Sequence, residues 1–261
     1  MAYIAEYWNN KAERAEQARR HTQEMSEKYP AEISCSVKNT VLYSTGFVCI
    51  KPSEKLYSTV ISVVDMDTVQ AAYMKKNGKT ALLNFSSYKN PGGMFMNGSK
   101  AQEECLCHSS FLYNVLTQKH HFYEWNNTHK NKALYMNRAL YSPDIIFTYD
   151  NNEFSCDVIT CAAPNKSAAQ KYQNVSDKTN TDVLRSRIKF VLEVAYENNA
   201  ETLILGAYGC GVFGQDPYEV AGIFREYLLN EFQGCYKNVI FAIPKGNINC
   251  TAFAETFAKE T

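Results

Sequence analysis

A chain of 261 residues is long enough for one large α/β domain with a sizeable core. Hydrophobic residues make up 45% and charged residues 21%, an ordinary globular balance, and Lys plus Arg equals Asp plus Glu at 27 each, so no net charge pulls the chain toward nucleic acid or an anionic membrane. No apolar run approaches the roughly 20 residues needed to span a bilayer. The N-terminal "MAYIAEYWNNKAERAEQARR" lacks the apolar centre of a signal peptide, and the nine cysteines are irregularly spaced, so reduced thiols in a cytoplasmic, monomeric protein without membrane contact are expected.

In chain order, residues 4–28 are charged and free of Gly and Pro, with Pro30 closing them. They read as a surface helix with a thin apolar face of Ile4, Trp8, Ala12 and Ala15, and residues 1–40 as an N-terminal helical extension. "NTVLYSTGFVCI" and "STVISVVD" are β-like. A strand–helix alternation then begins. "TVISVV" predicts a strand, and "DTVQAAYMKKNG" a helix capped by Asp67 with Gln70 three residues on and Gly78 as its stop. "KTALLNFSS" predicts the next strand, and "SKAQEECLCHSSFLYNVLTQ" one helix. Segment 119–155, with "HHFYEWNNTHKNK" at its centre, reads as a polar insertion or loop. "FSCDVITCAAP" is a nearly continuous apolar strand of the kind buried on both faces. Apolar spacing at Leu184, Ile188, Val191, Leu192 and Ala195 predicts a helix over 181–198. "ETLILGAYGCGVFGQDPYEVAGIFREYLL" is strand, glycine loop and helix, the helix started by Asp216, Pro217 and Glu219. "KNVIFAIP" and "NINCTAFAETFAKE" supply a last strand and helix. This alternation implies a mostly parallel sheet flanked by helices, occupying residues 41–261.

In such sheets, ligands sit beyond the carboxyl ends of strands. Two of these ends are glycine-rich: "PGGM" after "ALLNF" and "GAYGCGVFG" after "ETLIL". The second loop, with glycines at 206, 209, 211 and 214, suits a phosphate or diphosphate held by backbone N–H groups and the start of the following helix. It lacks the lysine–serine or lysine–threonine ending of a nucleoside-triphosphate hydrolase.

Ser99 and Gln102 fit a capping box, which places Glu103 and Glu104 in a first helical turn. There they can simply complement the helix dipole. Their functional reading is geometric. Neighbouring helix residues point about 100° apart, so the two carboxylates cannot both aim at one bond. One can protonate a leaving oxygen while the other holds sugar hydroxyls. Other features carry plainer readings. Cys105, Cys107 and His108 lack metal-ligand spacing, so no metal is expected. His120, His121 and His129 read as surface histidines. Cys210 reads as a small side chain tucked under its loop. Asp65 is a candidate acceptor for an adenine amino group, and Asp67 is more simply a cap.

The stretches "NPGGMFMNGSKAQEECLCHSS" and "GAYGCGVFGQDP", occurring in this order, resemble the bacterial-type poly(ADP-ribose) glycohydrolases. The flanking strands "TALLNFSS", "DVITCAAPN" and "NVIFAIP" extend the resemblance over roughly residues 40–261. The family is built on a macrodomain with an N-terminal helical extension, and its signature is three glycines followed, after a short spacer, by Gln-Glu-Glu. The resemblance implies cleavage of ribose–ribose bonds in poly(ADP-ribose) or on ADP-ribosylated macromolecules, releasing ADP-ribose without a metal or other cofactor. It implies Glu104 as the catalytic acid and base, Glu103 as the residue holding distal-ribose hydroxyls, and Gln102 as their support. Gly92 and Gly93 would let the backbone approach the ribose and diphosphate. Gly209, Cys210, Gly211 and Val212 would cradle the diphosphate, and Phe213 would orient the distal ribose. Ser87 takes the place of a ribose-binding asparagine common in macrodomains. The third signature glycine is Met94 here, so the turn must rearrange if that position requires φ > 0. Two alternatives share this pocket: a module that binds ADP-ribose without cleaving it, and a hydrolase of another ADP-ribose linkage.

Overall fold

The computed structural model describes residues 6–49, 56–246 and 248–258. Ile4, Ile50, Asn247 and Glu260, which the sequence places in helices or β-like runs, lie outside these residues.

The sheet is assembled by period-two patterning. In β3 (Thr80–Phe85), Ala81 and Leu83 face one side and Leu82 the other; in β6 (Thr202–Leu205), Leu203 and Leu205 oppose Ile204. In β7 (Asn238–Ala242), Val239 and Phe241 oppose Ile240 and Ala242. Both faces are apolar, so each must be covered. Helices α8 (Asp177–Glu197), α9 (Pro217–Leu229) and α10 (Ile248–Phe257) pack on one core through Leu184, Val191, Phe224 and Phe253. The other core receives α1 (Lys11–Lys28), α2 (Pro30–Asn39), α3 (Thr68–Lys75), α4 (Gln102–His108), α5 (Leu112–Leu116) and α6 (His120–Thr128).

The seven strands run in the order β1-β4-β5-β3-β6-β7-β2, where β1 is Val41–Ser44, β2 Val60–Val64, β4 Arg138–Tyr149 and β5 Asn152–Cys161. The β5/β3, β3/β6, β6/β7 and β7/β2 pairs are parallel, whereas β1/β4 and β4/β5 are antiparallel. The expected α/β architecture, a mixed and mostly parallel sheet flanked by helices with helices at the N-terminus, is what the chain forms. The parallel strands β3 and β6 lie side by side, so the loops at their carboxyl ends meet.

Several expected elements differ. Helix α1 ends at Lys28, just ahead of Pro30 as expected, but Pro30 then opens a second helix, α2, from the first helical position, where its missing N–H costs nothing. The buried stripe of α1 is Arg14 and Ala18, with Met25 against the core, rather than Trp8, Ala12 and Ala15. The single helix expected over 99–118 breaks after His108, because Ser110 turns its hydroxyl back to Leu106 O and forms an isolated bridge with Phe147. Segment 119–155 is no loop: it holds α6 and most of the β4–β5 hairpin. Its alternation is masked by a bulge between Ser142 and Ile145, where Asp144 takes φ 56° and its N–H donates to Asp157 Oδ1. Pro143 is tolerated there because β1 pairs β4 only as far as Tyr141. Helix α7 (Lys166–Gln173) follows β5. Among the cysteines only Cys35, on α2, is exposed. Among the described residues no helix is long and apolar enough to cross a membrane.

Candidate active site

The carboxyl end of β3 is held by the first residue of α4. Gln102 Oε1 accepts the Phe85 N–H at 2.8 Å, and Gln102 Nε2 donates to Leu83 O at 2.8 Å and to Thr68 Oγ1 at 3.2 Å. The amide thus replaces the neighbour that β3 lacks beyond its last rung, and leaving those groups unmet costs about 1–3 kcal/mol each. The N-cap of α4 is Ala101, not Ser99, and Glu103 and Glu104 do fall in its first turn.

The two glutamates diverge as helical geometry requires. Glu103, 3% exposed, turns toward the strand: Ser87 N–H donates to its Oε2 at 2.7 Å and Asn84 Nδ2 to its Oε1 at 3.2 Å. Burial pushes its carboxyl up to about 8, against the pull of those two donors, with the Glu104 charge adding a smaller push. Glu104, 5% exposed, turns toward the glycine turn: Met94 N–H donates to Oε1 at 2.8 Å and Ala101 N–H to Oε2 at 3.0 Å. Gly93 sits between them at φ 63°. A Cβ there would stand 2.5 Å from Glu104 Oε1 and 3.0 Å from Glu103 Oε2.

Across the cleft, the second glycine loop closes on itself through Gln215 N–H to Gly209 O and Gly214 N–H to Gly211 O. Gly209 takes φ 78°, and a Cβ added at Gly211 would meet nothing within 4 Å. Among the described residues no acceptor takes the N–H groups of Gly211, Val212 or Phe213, three successive donors of the kind that make an anion nest. Helix α9 begins as expected, with Asp216 Oδ1 accepting the Glu219 N–H and Pro217 in the first turn. Its first residues do not line the cleft, whereas Gly209, Gly211, Val212 and Phe213 of the loop do.

Glu103, Glu104 and this loop line one cavity of about 750 Å³. A pair of buried carboxylates on one wall and open N–H donors on the other suits a sugar joined to a diphosphate. The sequence profile of the microbial-type PARG catalytic domain, PARG being poly(ADP-ribose) glycohydrolase, matches residues 11–150. The chain belongs to the microbial-type PARG family. Similar solved structures agree. The poly(ADP-ribose) glycohydrolase of Thermomonospora curvata, bound to the inhibitor ADP-HPD, superposes with a TM-score of 0.82 at 29% identity, over 94% of this chain and 100% of that one. The Deinococcus radiodurans enzyme in complex with ADP-ribose gives 0.79 at 31% identity, over 88% of this chain and 98% of that one. No curated protein matches the sequence.

In this microbial-type PARG the structure brings Gln102, Glu103, Glu104, Gly93, Ser87, Gly209, Gly211, Val212 and Phe213 to the cavity wall. Three expected site residues do not line it. Gly92 faces backwards, where a Cβ would meet Tyr113 at 2.6 Å, so it serves packing beneath the turn. Cys210 tucks its thiol toward Tyr208 O, and burial raises the thiol to about 12. Asp65 is taken by Lys245, accepting its N–H at 2.7 Å and standing 3.5 Å from Nζ, whereas Asp67, the α3 cap, does line the cavity. Met94 resolves the departure from the signature. Its φ is −111°, open to any residue, so the turn needs glycine at 92 and 93 but not at 94.

Cavity-lining residues that sequence reasoning missed are Tyr88 and Tyr135, stacked at 4.2 Å and 12°, with Phe213 edge-on to Tyr135 at 6.0 Å. Tyr135 (φ 63°) ends a turn in which Asn131, Lys132 and Ala133 also have positive φ, a strained stretch held by Tyr135 N–H to Lys130 O and Asn165 N–H to Ala133 O. Nothing in the polar sequence around it signals this. Among the described residues no group of three or more His, Cys, Asp or Glu side chains is arranged to hold a metal ion. Cys107 packs against Gly92, and His108 lies between the Trp8 and Phe95 rings.

Proposed function

We propose that the chain hydrolyses the ribose–ribose O-glycosidic bonds of poly(ADP-ribose) and releases ADP-ribose, with Glu104 as general acid and then general base. The observation that carries this reading is that Glu104 and the open N–H groups of Gly211, Val212 and Phe213 share one cavity. Each Glu104 oxygen accepts one backbone N–H, and a carboxylate has about four acceptor positions, so capacity remains for the substrate. The diphosphate lies on the 209–213 loop and the distal ribose against Glu103, Ser87 and Phe213. Glu104 gives its proton to the ribose oxygen of the leaving unit as the glycosidic bond breaks, leaving an oxocarbenium-like sugar. The resulting carboxylate takes a proton from water as the water oxygen bonds to that sugar, which restores the acid. Glu103, neutral below about pH 8, donates to or accepts from ribose hydroxyls without itself placing a charge in the cleft.

On this reading residues 41–261 form a macrodomain-like catalytic unit and residues 1–40 its N-terminal extension. The protein acts as a cytoplasmic monomer on polymer or on ADP-ribosylated macromolecules. The test pairs hydrolysis with binding. Wild type incubated with poly(ADP-ribose) releases ADP-ribose. Glu104→Gln releases none while calorimetry still records ADP-ribose binding. Binding without release by the wild type would make the chain a reader of ADP-ribose instead.

A further inference from the structure

We propose that Arg14, on the N-terminal helix, is a positioning residue for Glu104, acting through the 94–101 loop. The proposal rests on the hydrolytic reading above. Arg14 is 7% exposed, and a buried guanidinium is costly unless its donors are met. Among the described residues no carboxylate pairs with it. Its Nε donates to Gly98 O at 2.7 Å and its Nη1 to Trp8 O at 2.5 Å. A buried cation spent on two backbone carbonyls fixes the place where those carbonyls sit.

Gly98, buried against α1, is the tip of the loop that carries the Glu104 partners. Met94 N–H and Ala101 N–H, near the two ends of that loop, each hold one oxygen of the Glu104 carboxylate. Between them, Ser99 N–H donates to Met94 O at 3.2 Å and Gly98 N–H to Phe95 O at 2.9 Å, so the loop is a closed ring of hydrogen bonds. The tip is pressed on α1: a Cβ on Gly98 would stand 2.0 Å from Lys11 O and 3.0 Å from Ala15 N. Phe95, 1% exposed, anchors the ring from beneath, with His108 at 4.7 Å edge-on and Trp8 edge-on to His108 at 5.3 Å. His108 belongs to α4, the helix that bears Glu104. Helix α1 therefore acts as a splint. Removing the guanidinium frees the loop tip, and the two N–H groups that set the carboxylate direction move with it. The diphosphate loop at 209–213 shares no hydrogen bond with this ring, so ligand affinity and turnover separate.

The test uses the full chain as wild type, Arg14→Ala, Arg14→Lys and Arg14→Gln, assayed well below their melting temperatures. For Arg14→Ala, kcat on poly(ADP-ribose) falls about ten- to hundredfold, while KM and the calorimetric Kd for ADP-ribose stay within about twofold. Arg14→Lys recovers part of kcat, since one ammonium can reach Gly98 O but cannot span both carbonyls. If Arg14→Ala does not fold, Arg14→Gln carries the same comparison. An unchanged kcat in a folded variant overturns the proposal. So does a loss of kcat matched by an equal loss of ADP-ribose affinity, which marks a purely structural brace. A wild type that binds ADP-ribose yet releases none from polymer fails earlier, at the hydrolytic reading itself.

Discussion

Met94 N–H donates to Glu104 Oε1 at 2.8 Å, so the residue at the third signature position holds that carboxyl group through its backbone. Its side chain is 46% exposed and its φ is negative, and neither property requires methionine or glycine. Met94→Gly is therefore expected to keep hydrolysis within about threefold and to lose about 0.4–1 kcal/mol of stability through the greater freedom of the unfolded chain. Steady-state assays and melting curves check both. A tenfold loss of kcat would mean that the methionine side chain itself contributes.

Gly93→Ala should lower turnover about a hundredfold. The position takes φ 63°, and the added methyl would lie 2.5 Å from Glu104 Oε1. Misplacing an acid by about 1 Å costs on the order of a hundredfold in rate. The check is polymer hydrolysis by a variant whose circular dichroism matches wild type; full activity would show that the turn does not set the carboxylate position.

Glu103 makes stability depend on pH. Folding raises its carboxyl from 4.5 to about 8, so between those values the folded chain keeps a proton that the unfolded chain has released. Its stabilising contribution is complete below about pH 4.5 and is lost as pH rises through 8. The melting temperature of wild type should fall from pH 5 to pH 9 more steeply than that of Glu103→Gln. The variant has a ready partner: Asn84 Oδ1 is buried without one, and rotating that amide turns an acceptor toward the new one. Parallel slopes in thermal melts across this range would contradict the assignment.

Gly209→Val should weaken ADP-ribose binding about tenfold or more, by the crowding that follows from φ 78° and a Cβ position 2.9 Å from both Ala163 Cβ and Gln215 Cγ. Calorimetry reads the affinity directly. An unaltered Kd would place the diphosphate away from this loop.

The parts of the site legible in the sequence were those with local signals. Gln102, Glu103 and Glu104 announce a helix start, and the glycines from 206 to 214 announce a turn after a strand. Roles that depend on packing were hidden. Whether Gly92 faces the cavity or Tyr113 is decided by the opposite side of the turn, and no spacing rule reports it. Asp65 and Asp67 look alike in sequence, yet Lys245, distant along the chain, takes the first and leaves the second on the cavity wall. The β4–β5 hairpin was hidden by its bulge and Pro143, which interrupt the period-two pattern over the residues where β1 pairing has already ended. Tyr135 reaches Phe213 only because four of the five residues 131–135 adopt a backbone that L-amino acids rarely take.

The distribution of thiols has a practical side. Cys35 is exposed on α2, while burial raises Cys105 and Cys210 to about 12 and keeps Cys107 well above its ordinary value. Thiolate is the species that attacks an electrophile, so a maleimide dye at neutral pH labels Cys35 first. Cys35 is thus a preferred attachment point for a fluorophore outside the cleft, usable for anisotropy titrations.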